Sequence, residues 1–307
     1  MGHAGQGLDH QSLLPPEPVI YLVEPFGGSI RRQSPHTPHV FWDDAGLTRG
    51  DGIFETVLVR GGEAKNLQKH LARFARSAAA LELPEPVGEQ WARVTAEAVA
   101  DYCRERAQDP AKIEAKCVWT MTRGRETTGV PTAWLTVRPI PADVLAQREQ
   151  GVKVVTTPRG YAVEPDVEWL GAEAKTLNYA ATMAALRWAR GKGADDVIYI
   201  ERGTERVLEG STSSVIMVKK GQRLRTPAPG PGILAGTTQA AVFDYATKQG
   251  WKCKEKDIAL GELYGTESVW LVSSTRICAR VTELNGKTLP APDNEAEIRE
   301  LITKALN

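Results

Sequence analysis

Cysteine is scarce: four in 307 residues, at 103, 117, 253 and 278, with neither paired nor metal-type spacing. That spacing argues against a disulfide framework or a cysteine-bound metal and suits reduced thiols in a cytoplasm; no metal site is expected. Net charge is missing as well, because 38 Lys and Arg balance 38 Asp and Glu. Such a balance gives no reason to expect nucleic acid or an anionic membrane as a partner. No apolar run reaches the ~18 residues that a membrane span requires. The opening MGHAGQGLDHQSLLPPEP lacks the charged and apolar regions of a secretory signal, so residues 1–17 read as a flexible tail. Internal repeats and low-complexity tracts are also absent.

What remains is a globular composition, 42% hydrophobic and 25% charged, long enough for two domains. Strand-like clusters fall at VIYLV (19–23), HVFW (39–42) and IFETVLV (53–59). Helical periodicity follows over 67–81, where Leu67, Leu71, Phe74, Ala78 and Leu81 share a face, and over about 88–106. Two alternating strands, 116–124 and 132–140, close a small α+β domain over 18–140. The polar stretch 139–151, with two prolines, joins the halves, so 141–151 reads as an interdomain linker and 152–307 as a larger second domain. Strands there are expected at 152–158, 196–200 and 268–274, with strand-like residues and a Ser/Thr-rich turn in 207–218, a helix over about 238–249 and a hairpin turned by Asn285-Gly286. Strands and helices mix without regular βαβ alternation, which favours two α+β-like domains over one doubly wound sheet.

Four features could carry chemistry. In AEAKTLNYAATMAA (172–185) a single lysine, Lys175, stands among small and apolar residues that read as the start of a half-buried helix. Its stem could pack on that helix while the amine reaches water, or burial could make the amine a Schiff-base nucleophile. In AGTTQAAVF (235–243) Gly236, Thr237 and Thr238 open a helix, either as a plain cap or as a seat for phosphate. In VLEGSTSSV (207–215) Glu209 could cap the adjoining turn or hold a proton on a heterocyclic nitrogen. Arg73 and Arg76 lie off the apolar stripe of their helix, solvated or within reach of a phosphate. One molecule, pyridoxal 5′-phosphate, has an aldehyde, a phosphate and a ring nitrogen, and would use all of them.

The sequence resembles the fold-type IV pyridoxal-phosphate enzymes, the group holding branched-chain and D-amino acid aminotransferases and aminodeoxychorismate lyase. The resemblance spans about 38–285 and rests on D-x-G-L-T-R-G-D-G-I-F-E-T (44–56), H-L-A-R-F (70–74), K-T-L-N-Y (175–179), L-E-G-S-T-S-S (208–214) and G-I-L-A-G-T-T (232–238), in matching order. It implies a mixed α+β/α/β, two-domain, D-amino acid aminotransferase-like fold with its site between the domains and at a homodimer boundary. By the same resemblance Lys175 would form the Schiff base and Glu209 would hydrogen-bond the pyridine nitrogen. Arg73 with Gly236, Thr237 and Thr238 would bind the phosphate, Tyr179 would contact the phenolic oxygen, and Ser213 and Ser214 would line the phosphate side.

Substrate choice is less determined. The Arg-x-His pair of the D-amino acid enzymes has no histidine here, where the chain reads T-R-G-R-E-T-T-G-V-P (122–131). Arg123 and Arg125 remain candidates for an anionic amino substrate, alongside Ser274, Thr275 and Arg276 of V-S-S-T-R (272–276). K-T-L-N-Y, L-E-G-S-T-S-S and V-S-S-T-R are most similar to the lyase-like members. That implies conversion of 4-amino-4-deoxychorismate to 4-aminobenzoate and pyruvate. Phe54-Glu55-Thr56 resembles the transaminase pattern, which keeps amino transfer on D-amino or branched-chain amino acids as the alternative. A pyridoxal-phosphate-binding homologue without turnover is the alternative of another class.

Overall fold

The computed structural model describes residues 17–106, 108–159, 174–230 and 232–306. The expected tail over 1–17, apart from Glu17, and most of the irregular stretch expected ahead of Lys175 lie outside the described residues.

The first sheet comprises β1 (Val19–Val23), β2 (Ile30–Gln33), β3 (Gly52–Arg60), β4 (Glu63–Ala64), β5 (Glu114–Thr122) and β6 (Thr132–Pro139). They are ordered β2-β1-β6-β5-β3-β4 and pair antiparallel throughout. The helices α1 (Ala45–Thr48), α2 (Leu67–Ala80) and α3 (Gly88–Arg106) are threaded between these strands. Period-two alternation builds the core: Ile53, Val57 and Val59 face the same way as Cys117, Trp119 and Met121, and as Leu135 and Val137. Phe74 of α2 stands edge-on to Trp91 and Trp119, with ring centroids 4.8 and 5.6 Å away. The inward series on β3 has one polar member, Glu55, which is fully buried.

After α4 (Ala142–Gln150), a second sheet takes β7 (Val152–Pro158), β8 (Asp196–Ile200), β9 (Val207–Gly210), β10 (Ser214–Lys219), β11 (Arg223–Thr226), β12 (Lys252–Glu255), β13 (Ser268–Ser273) and β14 (Ile277–Leu284). Its order is β12-β11-β10-β13-β14-β7-β8-β9, with β15 (Lys287–Thr288) paired to β14. The β11–β12, β14–β7 and β7–β8 pairs are parallel and the others antiparallel. The helices here are α5 (Ala180–Gly191), α6 (Thr237–Lys248), α7 (Leu260–Tyr264) and α8 (Glu295–Lys304). Val242 of α6 and Ile298 of α8 pack with Trp270 and Ile216 of the sheet, and Leu58 from the outward face of β3 joins the same cluster. The two sheets therefore share apolar packing. Among the described residues no helix is long and apolar enough to cross a membrane.

Three local expectations are corrected. HVFW (39–42) is bends and turn, because Phe41 and Trp42 are 55% and 77% exposed and Asp44 starts α1 by accepting the Gly46 N–H. The stretch 141–151 holds helix α4, with Pro141 fixed at φ −57° just before its first turn. Lys175 precedes helix α5 instead of lying on it, for reasons that belong to the site.

Candidate functional site

Lys175 is mounted on β3. The Phe54 N–H donates to the Lys175 carbonyl at 3.0 Å, and the Leu177 N–H donates to the Gly52 carbonyl at 2.8 Å. Thr176 thereby bridges Ile53 as a short antiparallel addition to the strand. The Lys175 N–H is taken by Ser77 Oγ on α2 at 3.0 Å. With these groups already bonded, the backbone cannot turn helical until Ala180, whatever the helix propensity of the alanines. Gly52 is needed for the approach, since a Cβ there would stand 2.8 Å from both Leu177 Cδ1 and the Met121 carbonyl. The amine donates to Tyr179 Oη at 3.3 Å and lies 4.3 Å above the Phe54 ring, which is itself edge-on to Tyr179.

The opposite face of β3 presents Glu55. Arg73 grips it as a fork, Nε to Oε1 at 2.6 Å and Nη2 to Oε2 at 2.8 Å, while Nη1 donates to the Ala235 carbonyl at 3.0 Å. His70 Nδ1 sits 2.7 Å from Glu55 Oε2 and, facing an acceptor, must donate. Its Nε2 is then free to accept from Thr237 Oγ1 and Ser274 Oγ, at 3.5 and 3.4 Å. Burial works to raise the Glu55 pKa, but the Arg73 charge and the bonds from Arg73 and His70 outweigh it and hold the carboxyl at about 2. Burial pushes the His70 pKa down, aided by the Arg73 and Lys175 charges, so the ring is neutral at neutral pH. Of the two arginines on α2, Arg73 is buried and Arg76 is exposed.

Glu209 ends β9. Arg159 donates to its Oε1 at 2.5 Å and the Leu234 N–H to its Oε2 at 3.0 Å. Helix α6 opens at Gly236 with no side-chain cap, which leaves its first N–H groups facing the cleft beside Thr237 and Thr238. A Cβ at Gly236 would stand 2.2 Å from the Ser214 hydroxyl and displace it, so glycine lets this turn approach β10 closely. Ser213 Oγ is buried and has no hydrogen-bond partner. A single cavity of about 200 Å³ takes in Lys175, Tyr179, Glu209, Arg73, Ser213, Ser214, Gly236, Thr237 and Thr238, and also Ser274 and Thr275. Every residue expected to hold the cofactor is brought to one place.

Three expected substrate contacts are not. Arg123 is paired with Asp51 at 3.1 Å and caps the Leu81 and Glu82 carbonyls at the end of α2. Arg125 is paired with Asp43 at 2.9 Å and stacks on Phe41 at 4.2 Å. Arg276 turns inward, to Asp196 Oδ2 at 2.7 Å, both nearly fully buried. Within one chain these arginines answer a local carboxylate, and none lines the cavity. Conversely, the cavity wall includes Phe54, Thr56, Ser211 and Leu234, which the sequence reading left out of the site. Glu55 carried a legible signal, a carboxylate at an inward position of an alternating strand. Arg159 carried none.

An amine, a carboxylate, a forked guanidinium and an open helix N-terminus around one cavity suit a small molecule with an aldehyde, a basic ring nitrogen and a phosphate. Among the described residues no cluster of His, Cys, Asp or Glu could hold a metal. Fold and site together define a fold-type IV arrangement. The family model "Amino-transferase class IV" matches residues 52–284, and the chain belongs to that family. It is 38% identical over 280 residues to a bifunctional aminodeoxychorismate lyase / D-amino acid transaminase of Mycobacterium tuberculosis, covering 89% of this chain and 95% of the relative. Among solved structures it is similar to a hypothetical aminotransferase of Mycobacterium tuberculosis in PLP-bound form, with TM-score 0.87, 37% identity, and coverage of 94% and 98% of the two chains. A fold IV-transaminase of Curtobacterium pusillum superposes with TM-score 0.85 at 38% identity, over 94% and 97%.

The buried network has a pH signature. Glu55 and His70 both have lowered pKa values when folded, so each binds fewer protons than in the unfolded chain and stability falls with pH. His70 contributes below its ordinary 6.5, and Glu55 between its ordinary 4.5 and about 2. Glu55→Gln is expected to cost about 3–5 kcal/mol near neutral pH, because it leaves Arg73 buried without its partner. It should also flatten the loss below pH ~4.5. Urea unfolding midpoints across pH 3–8, for wild type and variant, measure both effects.

Proposed function

We propose that this chain is a pyridoxal-phosphate-dependent lyase that converts 4-amino-4-deoxychorismate to 4-aminobenzoate and pyruvate, with amino transfer as a second activity of the same site. The carrying observation is the convergence of Lys175 Nζ, the Glu209 carboxylate, Arg73 and the uncapped α6 N-terminus on one cavity. The choice of a lyase is supported by the relative whose name pairs the two activities. The intact Phe54-Glu55 pair, which anchors Arg73, favours the transaminase side of that pairing.

The residues present fit the cofactor. Its phosphate would rest on the open N–H groups of α6, with Arg73, Thr237 and Thr238 around it, and the unpartnered Ser213 Oγ is a further donor on that wall. Bound pyridoxal phosphate supplies an aldehyde for Schiff-base chemistry and a ring that withdraws electrons from the substrate Cα. Glu209 would hold a proton at the pyridine nitrogen, while Arg159 and the Leu234 N–H fix the orientation of its carboxylate. Lys175 provides the amine that links the cofactor and then serves as the base that takes the Cα proton. Tyr179, in contact with that amine, orients it.

A homodimer completes the reading. Around α1 and the loop after β5, Trp42, Leu47 and Val130 are 77%, 69% and 55% exposed, and Met183 and Trp188 are exposed on α5. Apolar side chains at this density suit a second copy of the chain. Sedimentation is expected to give the mass of two chains, and a monomer would refute the dimer. The four free cysteines support a cytoplasmic setting.

The purified protein should bind pyridoxal phosphate with a visible absorbance band that Lys175→Ala abolishes. Supplied with 4-amino-4-deoxychorismate and no keto acid, it should release 4-aminobenzoate and pyruvate in equal amounts. Reaction of D-alanine with 2-oxoglutarate, without those products, would reverse the ranking of the two activities.

A further inference from the structure

Ser273 pairs with Ile277, so Ser274, Thr275 and Arg276 form a three-residue hairpin turn between β13 and β14. In such turns the residue that follows commonly adopts the left-handed conformation, a place for glycine. Here it is Ile277, at φ +61°, a β-branched residue 3% exposed in the core of the second sheet. That backbone is strained and persists only if its surroundings over-determine it. The restraints are visible. Arg148 of α4 donates to the Thr275 carbonyl from both Nε and Nη2, at 3.1 and 2.6 Å. Its Nη1 bonds Glu114 Oε2 at 2.6 Å, and Glu114 in turn accepts from Arg60 Nε at 2.5 Å. On the other side Arg276 is tied to the buried Asp196. The turn so held presents Ser274 and Thr275 to the cavity, with Ser274 against His70.

We propose that Arg148 is a positioning residue. By clamping the Thr275 carbonyl to Glu114 of the first sheet, it keeps the strained 274–276 turn aimed at an anionic group in the cavity. That group is either the phosphate of the bound cofactor or the carboxylate of the amino substrate. The inference rests on the function proposed above. The residue lies in what the sequence presented as a linker, and neither the lysine nor the phosphate seat touches it. Released from Arg148, the turn relaxes toward extended φ values at Ile277, and its tip shifts against the bound anion. Misplacement of this kind costs affinity at one anion without changing the reacting groups.

The test uses full-length Arg148→Gln, and Arg148→Lys, which keeps the stem and one donor. Pyridoxal phosphate and phosphate-free pyridoxal are titrated by absorbance, kcat and KM are measured for the amino substrate, and Tm is recorded. If the phosphate is the anion, Arg148→Gln raises the Kd of pyridoxal phosphate about ten-fold and leaves that of pyridoxal unchanged. If the carboxylate is the anion, KM rises about ten-fold with kcat and both dissociation constants held. In either case Arg148→Lys should recover part of the loss. The inference is overturned if wild type binds and turns over while the variants change only Tm, or match it within two-fold in Kd and KM. A wild type that binds no pyridoxal phosphate overturns the proposed function, and this inference with it.

Discussion

A carboxylate with no solvent exposure holds this molecule together. Glu55 sits where β3 should present an apolar residue to the core, and an isolated charge there would cost several kcal/mol. It is tolerated because two partners, one helical turn apart on α2, converge on its oxygens. Those partners then reach beyond the first sheet. Arg73 binds the carbonyl of Ala235 just before α6, and His70 faces Thr237 and Ser274 of the second sheet's elements. One charge thus fixes the helix to its own strand and aligns both with the α6 end of the cleft. Asn66, donating to the Thr237 carbonyl at 3.2 Å, and Leu58, packed into the second core, reinforce the same junction.

Strand β3 is the common support. Its inward face carries Glu55 between Ile53 and Val57, and its outward face carries Phe54, Thr56 and Leu58. Its backbone binds the Lys175 carbonyl and the Leu177 N–H, on either side of Thr176. The amine on one face and the guanidinium on the other are therefore referenced to the same few residues. A strand paired along its whole length with β5 is a stiffer reference than a loop. Glu209, from the second sheet, is set by Arg159 and the Leu234 N–H, so the far end of the cavity is fixed independently.

Much of this was legible in the sequence, for identifiable reasons. The 67–81 periodicity, the alternation of β5 and β6, and the Gly-Thr-Thr opening of α6 are local patterns, and local patterns survive folding. What failed depended on distant partners. The alanines after Lys175 favour helix, but β3 and Ser77, far away in sequence, take the backbone groups first. Arg276 looked available to substrate until the buried Asp196, eighty residues earlier, was found opposite it. In 141–151, the polar side chains and Pro141 give no local sign of the Thr275 carbonyl that Arg148 binds. The residues expected to hold the cofactor come from five motifs far apart in sequence, and the fold brings them to the wall of one cavity.

In the proposed function, the buried Glu55 charge arms Arg73 for the α6 end of the cleft, where the cofactor phosphate would rest. The most direct measurement compares the dissociation constants of pyridoxal phosphate and phosphate-free pyridoxal for wild type and for Glu55→Gln, under conditions where both are folded. The expected result is a loss of at least about ten-fold for pyridoxal phosphate, with pyridoxal unaffected, since a guanidinium without its fork loses its aim. Equal losses for both ligands, or none for either, would contradict it.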